Sequence, residues 1–278
     1  MKQRILVAVV GIPVLLAIFI AAPVWATAVL LVLLCGIGAH ELLAAVSGAE
    51  KARRGTLPAS VMALLLTALV YTRAMAADSI WPQLLQWLLV ASVVAVFVWT
   101  IATYDTHLGL DFTDLCAVLV AGLAIPWAFS CLLRLRMLPY GGGMVLIPLV
   151  AAFLSDSAAL FTGMACGKHK LSPRVSPHKT IEGSVGGLLG GMVGMVLFRI
   201  VFYFCTLRPL SIGWCILIGF VGAVMGQLGD LSFSFVKRQY GIKDYGRLLP
   251  GHGGVLDRFD SVLFAAPVVW LLVNSANL

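Results

Sequence analysis

Residues 234–260 read SFVKRQYGIKDYGRLLPGHGGVLDRFD, and this stretch separates two long apolar runs at about 210–235 and 256–275. It concentrates Lys, Arg, His and Asp side chains, although only 11% of the 278 residues are charged. Each flanking run is long enough to cross a bilayer as a helix. The stretch therefore predicts a polar site held at one face of a membrane by apolar helices.

The composition of the whole chain indicates an all-α protein embedded in a membrane. Hydrophobic residues make up 61% of it and the mean hydropathy is +1.02, whereas soluble domains are about half apolar. Since a helix needs about 20 apolar residues to cross the hydrocarbon, we expect a polytopic helical bundle of about nine spans. The predicted spans are residues 5–22, 24–47, 57–77, 81–102, 115–137, 144–166, 183–205, 210–235 and 256–275.

Positive charges predict the orientation, because Lys and Arg collect on the cytoplasmic segments of membrane proteins. With a cytoplasmic N-terminus, most of the 19 basic residues fall on the cytoplasmic side. Those on the opposite face are Arg73, Arg134, Arg136 and Arg208. The net charge of +7 is therefore assigned to topology and not to a nucleic-acid partner. The first apolar run is either a retained span or a cleaved signal, and the charge pattern favours a retained span.

Residues 1–140, with the first five spans, carry few ionisable side chains and are predicted to be a scaffold. His40 and Glu41 begin like a zinc-protease HExxH motif, but residue 44 is Ala, so we expect a packing or interfacial pair. Asp111 and Asp114 lie in an acidic connection that is interpreted as a solvated loop.

Residues 141–278 are predicted to form a catalytic region. Asp156 lies in the sixth span and should face a polar interior, because a carboxylate in lipid costs about 3 kcal/mol on insertion scales. The next segment, residues 167–183, reads GKHKLSPRVSPHKTIEG, and its prolines prevent a continuous helix. From the residues alone, this segment is either an ordered anion-binding loop or a positive-inside stop signal.

Glycines in the seventh span repeat at every fourth residue. One row is Gly183, Gly187 and Gly191, and the other is Gly186, Gly190 and Gly194. Such rows let helices approach closely, either within one chain or in a homodimer.

The eighth span carries polar groups on one helical face. Gly222, Gly226, Asp230, Ser234 and Arg238 follow one another at a spacing of four residues. Asp257 and Asp260 begin the ninth span at a spacing of three. Hard divalent cations take carboxylate oxygens together with substrate phosphates. We therefore expect Asp230 and Asp257 to converge on one metal ion.

The charged stretch resembles the defining motif of the phosphatidate cytidylyltransferases, also called CDP-diacylglycerol synthases. The matching positions are Ser234, Lys237, Arg238, Lys243, Asp244, Gly246, Leu249, Pro250, His252, Gly253, Gly254, Asp257, Arg258 and Asp260. The segment from Ser155 to Gly183 resembles that family's second conserved region, through Asp156, Gly163, Gly167, Lys168, Ser176, Pro177, Lys179, Thr180 and Gly183. Met164 and His178 stand where relatives commonly have a basic residue, so each removes one phosphate donor.

The resemblance implies a Mg²⁺-dependent nucleotidyltransferase of phospholipid biosynthesis, in the bacterial inner membrane with its site facing the cytosol. Its substrates would be CTP and phosphatidate, and its products CDP-diacylglycerol and pyrophosphate. Asp230 and Asp257 would hold Mg²⁺, with Asp156 and Asp260 as further ligands or as ligands of a second cation. The implied catalytic residues are Asp230, Asp257, Lys237, Arg238 and Asp260. The implied phosphate-binding or substrate-binding residues are Ser234, Lys243, His252, Arg258, Lys168, Lys179, Ser176 and Thr180.

Two alternatives remain from the sequence. One is a secondary transporter in which Asp156, Asp230 and Asp257 relay a cation between helices. The other is a CTP-dependent enzyme that acts on a different lipid phosphate, an isoprenoid or an archaeal lipid. The clustering of charge at one face favours an enzyme over a transport route.

Overall fold

A computed structural model describes residues 2–106, 109–246, 248 and 253–276, with side chains from residue 9 onward. The chain forms two compact units. The first contains residues 1–137 and 242–258, and the second contains residues 138–241 and 259–278. The division at residue 140 into scaffold and catalytic region concerns function and stays a prediction.

The first unit is built from apolar helices. They are α1 (Lys2–Ile20), α2 (Val24–Met75), α3 (Trp81–Thr103), α4 (Phe112–Leu119), a π-helical turn (Val120–Ala124) and α5 (Ile125–Arg136). Helix α2 is broken at Gly48, whose φ of 79° is a conformation that side-chain-bearing residues rarely adopt. The break separates two helical halves that correspond to the predicted second and third spans. The core of the unit lies where α2 packs against α3, α5 and the π-helical turn.

An ion pair ties α2 to the start of α4. Lys51 Nζ lies 2.6 Å from Asp114 Oδ2, and Asp114 also completes a capping box with Asp111. Asp111 is exposed but Asp114 is buried. The interpretation of both aspartates as a solvated loop was therefore wrong for Asp114, because a lysine from another helix compensates its charge.

The second unit combines helices with a short hairpin. Its elements are α6 (Gly141–Met144), α7 (Leu146–Cys166), β1 (Lys170–Ser172), β2 (Ser176–Thr180), α8 (Ile181–Thr206), α9 (Ile212–Gln239) and most of α10 (Leu256–Ser275). Strands β1 and β2 pair antiparallel. The ordered non-helical segment predicted at residues 167–183 thus contains a hairpin.

The glycine rows of α8 pack inside the chain. A Cβ at Gly190 would meet Ala158 of α7, and a Cβ at Gly191 would meet Ala223 of α9. This use of the rows is the intramolecular one of the two that the sequence allowed. The homodimer stays a prediction, and these glycines give it no separate support.

The all-α, membrane-embedded class is confirmed, but the count of nine spans is not. Among the described residues, six helical segments are long and apolar enough to cross a membrane. They are Val24–Met75, Trp81–Thr103, Phe112–Arg136, Gly141–Cys166, Ile181–Thr206 and Ile212–Gln239. The count is lower partly because the two predicted spans in α2 form one segment around Gly48. Helix α10 is not among the six and carries three charged residues in its first turns. The cytoplasmic N-terminus stays a prediction.

Candidate active site

Close packing of α9 against α7 and α10 builds the polar centre of the second unit. A Cβ at Gly222 would meet Ala151 and Val269, and one at Gly229 would meet the carbonyl oxygen of Asp260. Glycines on α9 therefore bring its backbone against both neighbouring helices. This approach places Asp230, one residue after Gly229, near Asp260 of α10.

Asp230 pairs with a lysine from the hairpin. Lys179 Nζ lies 2.6 Å from Asp230 Oδ2, and each side chain is somewhat more than a quarter exposed. The Ser234 hydroxyl donates to Asp230 Oδ1 at 3.3 Å. The helical face predicted from the four-residue spacing thus joins Asp230 to Ser234 one turn later. Its partner Lys179 belongs to the other sequence region that carried the resemblance.

Two further aspartates lie near Asp230. The Ser261 hydroxyl donates to Asp156 Oδ2 at 3.0 Å, and the Ser261 backbone N–H donates to Asp260 Oδ1 at 2.8 Å. Both carboxylates interact electrostatically with Asp230. Lys237 is buried, and its charge also interacts with that of Asp260. The second unit therefore brings together three of the four predicted metal carboxylates, from α7, α9 and α10, with two of the predicted basic side chains.

The Lys179–Asp230 pair lies on the wall of a cavity of about 490 Å³. The charged lining residues are Asp156, Lys179 and Asp230, and the apolar lining includes Leu160 and Met164. A cavity with a charged part and an apolar part suits a ligand that carries both phosphate and hydrocarbon.

Hydrogen bonds between the start of α8 and the residues that flank the strands hold the base of the hairpin. The Glu182 carboxylate accepts from the Lys168 backbone N–H at 3.1 Å and lies 2.6 Å from His169 Nδ1. Thr180 is the N-cap of α8, since its hydroxyl accepts from Gly183 N–H at 3.1 Å. Thr180, which was predicted to bind substrate, thus caps α8 in the structure. Lys168 is exposed and Ser176 is partly exposed on β2.

The hairpin also contacts α9 directly. Arg238 Nε donates to the Val175 carbonyl oxygen at 3.2 Å. The positive charge of Arg238 is therefore held beside the turn that leads into β2.

Sequence reasoning did not single out Gln227. Its amide nitrogen donates to the Ser184 carbonyl oxygen at 3.0 Å, its amide oxygen accepts from the Ser184 hydroxyl, and it lines the cavity. The sequence did contain a signal for this residue, because a polar amide lies inside an apolar span three residues before Asp230. The bonds of Gln227 link α9 to α8 at the cavity wall.

The remaining predicted residues belong to the first unit or fall outside the described residues. Asp257 lies in the first turn of α10, and its Oδ2 accepts from Tyr245 N–H at 2.8 Å and Gly254 N–H at 2.9 Å. Lys243 and Arg258 are exposed. His252 lies outside the described residues. The predicted convergence of Asp257 and Asp230 stays a prediction.

His40 and Glu41, predicted to be a packing or interfacial pair, have different hydrogen-bond partners. The Glu41 carboxylate accepts from the backbone N–H groups of Val255 and Leu256, each at 2.9 Å. His40 Nδ1 instead lies 3.2 Å from the Thr56 hydroxyl. The difference arises because the start of α10, far along the chain, presents N–H donors to this buried acid.

The residues around Asp230 fit a hard cation that is also bound by substrate. Among the side chains that the structure describes, no group of three or more His, Cys, Asp or Glu is arranged to hold a metal ion. Mg²⁺, however, usually takes one or two carboxylates together with waters and substrate phosphates. Asp230 already attracts a cationic group in Lys179, and Asp156 and Asp260 add negative charge nearby. The donor chemistry is therefore suited to Mg²⁺.

The fold and this site define an integral membrane protein with a cavity lined by carboxylates and lysine. A model of the cytidylyltransferase family matches residues 2–276, and the chain belongs to that family. The family resemblance inferred from the two motifs is thereby confirmed.

Similar proteins carry a more specific name. A phosphatidate cytidylyltransferase of Bacillus subtilis (strain 168) is 34% identical over 183 residues, which cover 66% of this chain and 65% of that protein. One from Staphylococcus haemolyticus (strain JCSC1435) is 38% identical over 158 residues, covering 57% and 58%. One from Staphylococcus aureus (strain COL) is 35% identical over 196 residues, covering 69% and 71%. The first two alignments thus span less than two thirds of the relatives' length.

Proposed function

We propose that this chain is a phosphatidate cytidylyltransferase, which transfers the CMP moiety of CTP to phosphatidate and gives CDP-diacylglycerol and pyrophosphate. The observation that carries the proposal is the Lys179–Asp230 pair on a cavity that Asp156 also lines, in a member of the cytidylyltransferase family. The names of the bacterial relatives support this choice of substrates.

The chemistry needs little proton transfer. A phosphatidate oxygen, anionic at neutral pH, attacks the α-phosphorus of CTP, and the bond from that phosphorus to the oxygen bridging to the β-phosphate breaks. Pyrophosphate leaves with that oxygen. Because the nucleophile is already charged, the protein's task is to position two anionic substrates and to neutralise the charge on the leaving group.

Lysine and arginine side chains supply fixed positive charge for this task. We assign Lys179 to a phosphate of CTP, since its ammonium lies on the cavity wall and the substrate would compete with Asp230 for it. Lys237 and Arg238 extend the positive charge along α9, on the helix that carries Asp230. Lys168, Lys243 and Arg258 are proposed phosphate contacts from the sequence match alone.

Asp230, Asp156 and Asp260 are the proposed holders of Mg²⁺, with Asp257 added from the sequence match. When bound, the ion would neutralise charge on the phosphates of CTP. The protein's own carboxylates would set its place, with Ser261 orienting two of them through hydrogen bonds to Asp156 and Asp260.

We also propose the bacterial inner membrane as the location, with the cavity open to the cytosol. CTP is a cytosolic nucleotide and phosphatidate resides in the bilayer, so a site at the cytosolic face receives both. Accessibility of a cysteine introduced at Lys170 to an impermeant reagent, in intact cells against inverted vesicles, tests the orientation. Labelling from outside intact cells would contradict it.

The decisive experiment incubates the purified, detergent-solubilised protein with phosphatidate micelles and labelled CTP, with and without EDTA. We expect CDP-diacylglycerol and pyrophosphate in equal amounts, loss of product with EDTA and recovery with excess Mg²⁺. Absence of product from phosphatidate, but turnover of an isoprenyl phosphate, would replace the substrate assignment. Turnover that is insensitive to EDTA would refute the metal assignment and leave the reaction in place.

A further inference from the structure

We infer that Glu41, on a helix assigned to the scaffold, is a positioning residue that holds the turn before α10 and, through it, Asp257. The expected effect on catalysis rests on the proposed function, while the structural part can be tested without it. All the groups concerned belong to the first unit.

The Glu41 carboxylate caps the N-terminus of α10 from another helix. It is only 5% exposed, its Oε1 accepts from Val255 N–H, and its Oε2 accepts from Leu256 N–H, each at 2.9 Å. Leu256 is the first residue of α10. The first N–H groups of a helix have no partner within it and favour a negative charge nearby. A carboxylate buried among apolar helices is in turn tolerated because both of its oxygens accept hydrogen bonds.

Asp257 also holds this turn. Its Oδ2 accepts from Gly254 N–H and Tyr245 N–H. Three consecutive N–H groups, those of residues 254, 255 and 256, are therefore bound by two carboxylates, of which Glu41 is the one remote in sequence. Loss of Glu41 would leave Asp257 attached to a turn with two unsatisfied donors, so the direction of the Asp257 side chain would no longer be fixed.

Two glycines make room for Glu41. A Cβ at Gly246 or at Gly254 would fall on the Glu41 carboxylate. Neither has a positive φ, unlike Gly253 at 83°. Backbone conformation therefore does not require glycine at these two positions, whereas the close approach of Glu41 does. The carboxylate thus lies close to both Gly246 and Gly254, two glycines of the unit that also contains Lys243.

The test uses Glu41→Gln, in which an amide nitrogen, a donor, replaces one acceptor oxygen. Glu50→Gln is the control, since Glu50 is exposed on the same helix beyond the Gly48 break. Hydrogen exchange measures the turn directly. Loss of a charge-assisted bond should accelerate exchange of the Val255 and Leu256 amides about tenfold or more. Equal exchange in wild type and Glu41→Gln would overturn the inference whatever the activity.

Steady-state kinetics distinguish positioning from general destabilisation. A displaced Asp257 should raise KM for CTP by about tenfold with a smaller change in kcat, because substrate binding would have to re-order the turn. A lower kcat at unchanged KM, with less folded protein, would indicate a purely structural role and would overturn the inference. A wild type without product would refute the proposed function but leave the hydrogen-exchange test intact.

Gly254→Ala provides the same test without changing any charge. Its methyl group should displace the Glu41 carboxylate and reproduce the rise in KM. In a Glu41→Ala background, the methyl group has space, so Gly254→Ala should add little further effect. Fully additive effects of the two substitutions would overturn the inference. If Glu41→Gln does not fold, Gly254→Ala and Gly246→Ala decide by the same KM and exchange criteria.

Discussion

Replacing Asp230 by Asn separates catalysis from stability at the cavity wall. The change removes the negative charge that faces Lys179 and preserves the shape of the side chain. The amide oxygen of the asparagine can still accept a hydrogen bond from the Ser234 hydroxyl, which in the wild type lies 3.3 Å from Asp230 Oδ1. The substitution therefore tests the charge of Asp230 more than its packing.

The expected magnitudes differ for the two properties. Lys179 Nζ and Asp230 Oδ2 are 2.6 Å apart, but the side chains are 27% and 29% exposed. A partly exposed ion pair contributes only about 1 kcal/mol to folding. A charge positioned for the transition state contributes roughly 3–4 kcal/mol, or a factor of about 10²–10³ in rate. We therefore expect Asp230→Asn to lower kcat at least about a hundredfold while thermal stability changes little.

The assay is formation of CDP-diacylglycerol from labelled CTP, paired with thermal unfolding of the same preparation. Asp78→Asn is the matched control, because Asp78 is exposed in the connection between α2 and α3. Lys179→Met should also lower the rate, and the double variant should lose less than the sum of the single effects, since the two side chains are in contact. Turnover by Asp230→Asn within about threefold of wild type would refute the reasoning.

Other substitutions test the packing and the ion pairs. Gly190→Ala should lower the stability of the detergent-solubilised protein by about 1–3 kcal/mol, because its methyl group meets a side chain of α7. Gly213→Ala should not, because its Cβ would meet only Ser211 Oγ, at an ordinary contact distance of 3.9 Å. Equal melting of the two variants would contradict the packing. Lys51→Met should lower the free energy of unfolding by about 3 kcal/mol by leaving the buried Asp114 without its cation; adding Asp114→Asn should restore most of it in chemical denaturation, and no recovery would count against the ion pair. Glu182→Gln should make the hairpin about tenfold more sensitive to limited proteolysis, whereas an unchanged cleavage rate would mean that other contacts hold it.

Patterns in the sequence predicted most of the helices of the fold. Runs of about 20 apolar residues located the helices because burial of a helix in lipid depends on composition over its whole length. The same reading could not fix the number of spans, since the polar residues after Gly48 separate two predicted spans, whereas the chain continues there as one helical segment with a kink. Local spacing also predicted that Asp230 and Ser234 would be neighbours, because one helical turn separates them.

Contacts between segments that are distant in the chain could not be predicted from the sequence. Nothing in the spacing of residues 167–183 specifies that Lys179 reaches Asp230, because the hairpin places β2 against α9 only after folding. The same holds for Ser261, which joins Asp156 to Asp260. Glu41 had a visible signal as an acid within an apolar span, but its partners are two backbone N–H groups more than 200 residues away.

The carboxylates differ in what compensates their charge. Asp230 faces the ammonium of Lys179, a group at the end of a flexible chain that a phosphate can attract away. Asp257 accepts from two backbone N–H groups, so it is tied to the main chain at Tyr245 and Gly254. In the proposed reaction, a polyphosphate that draws Lys179 toward itself would leave Asp230 with uncompensated charge, so that its carboxylate could hold Mg²⁺. Under the proposed function, we therefore expect Asp230 to be the carboxylate that changes partners during turnover, and Asp257, supported by Glu41, to be the one that keeps its place.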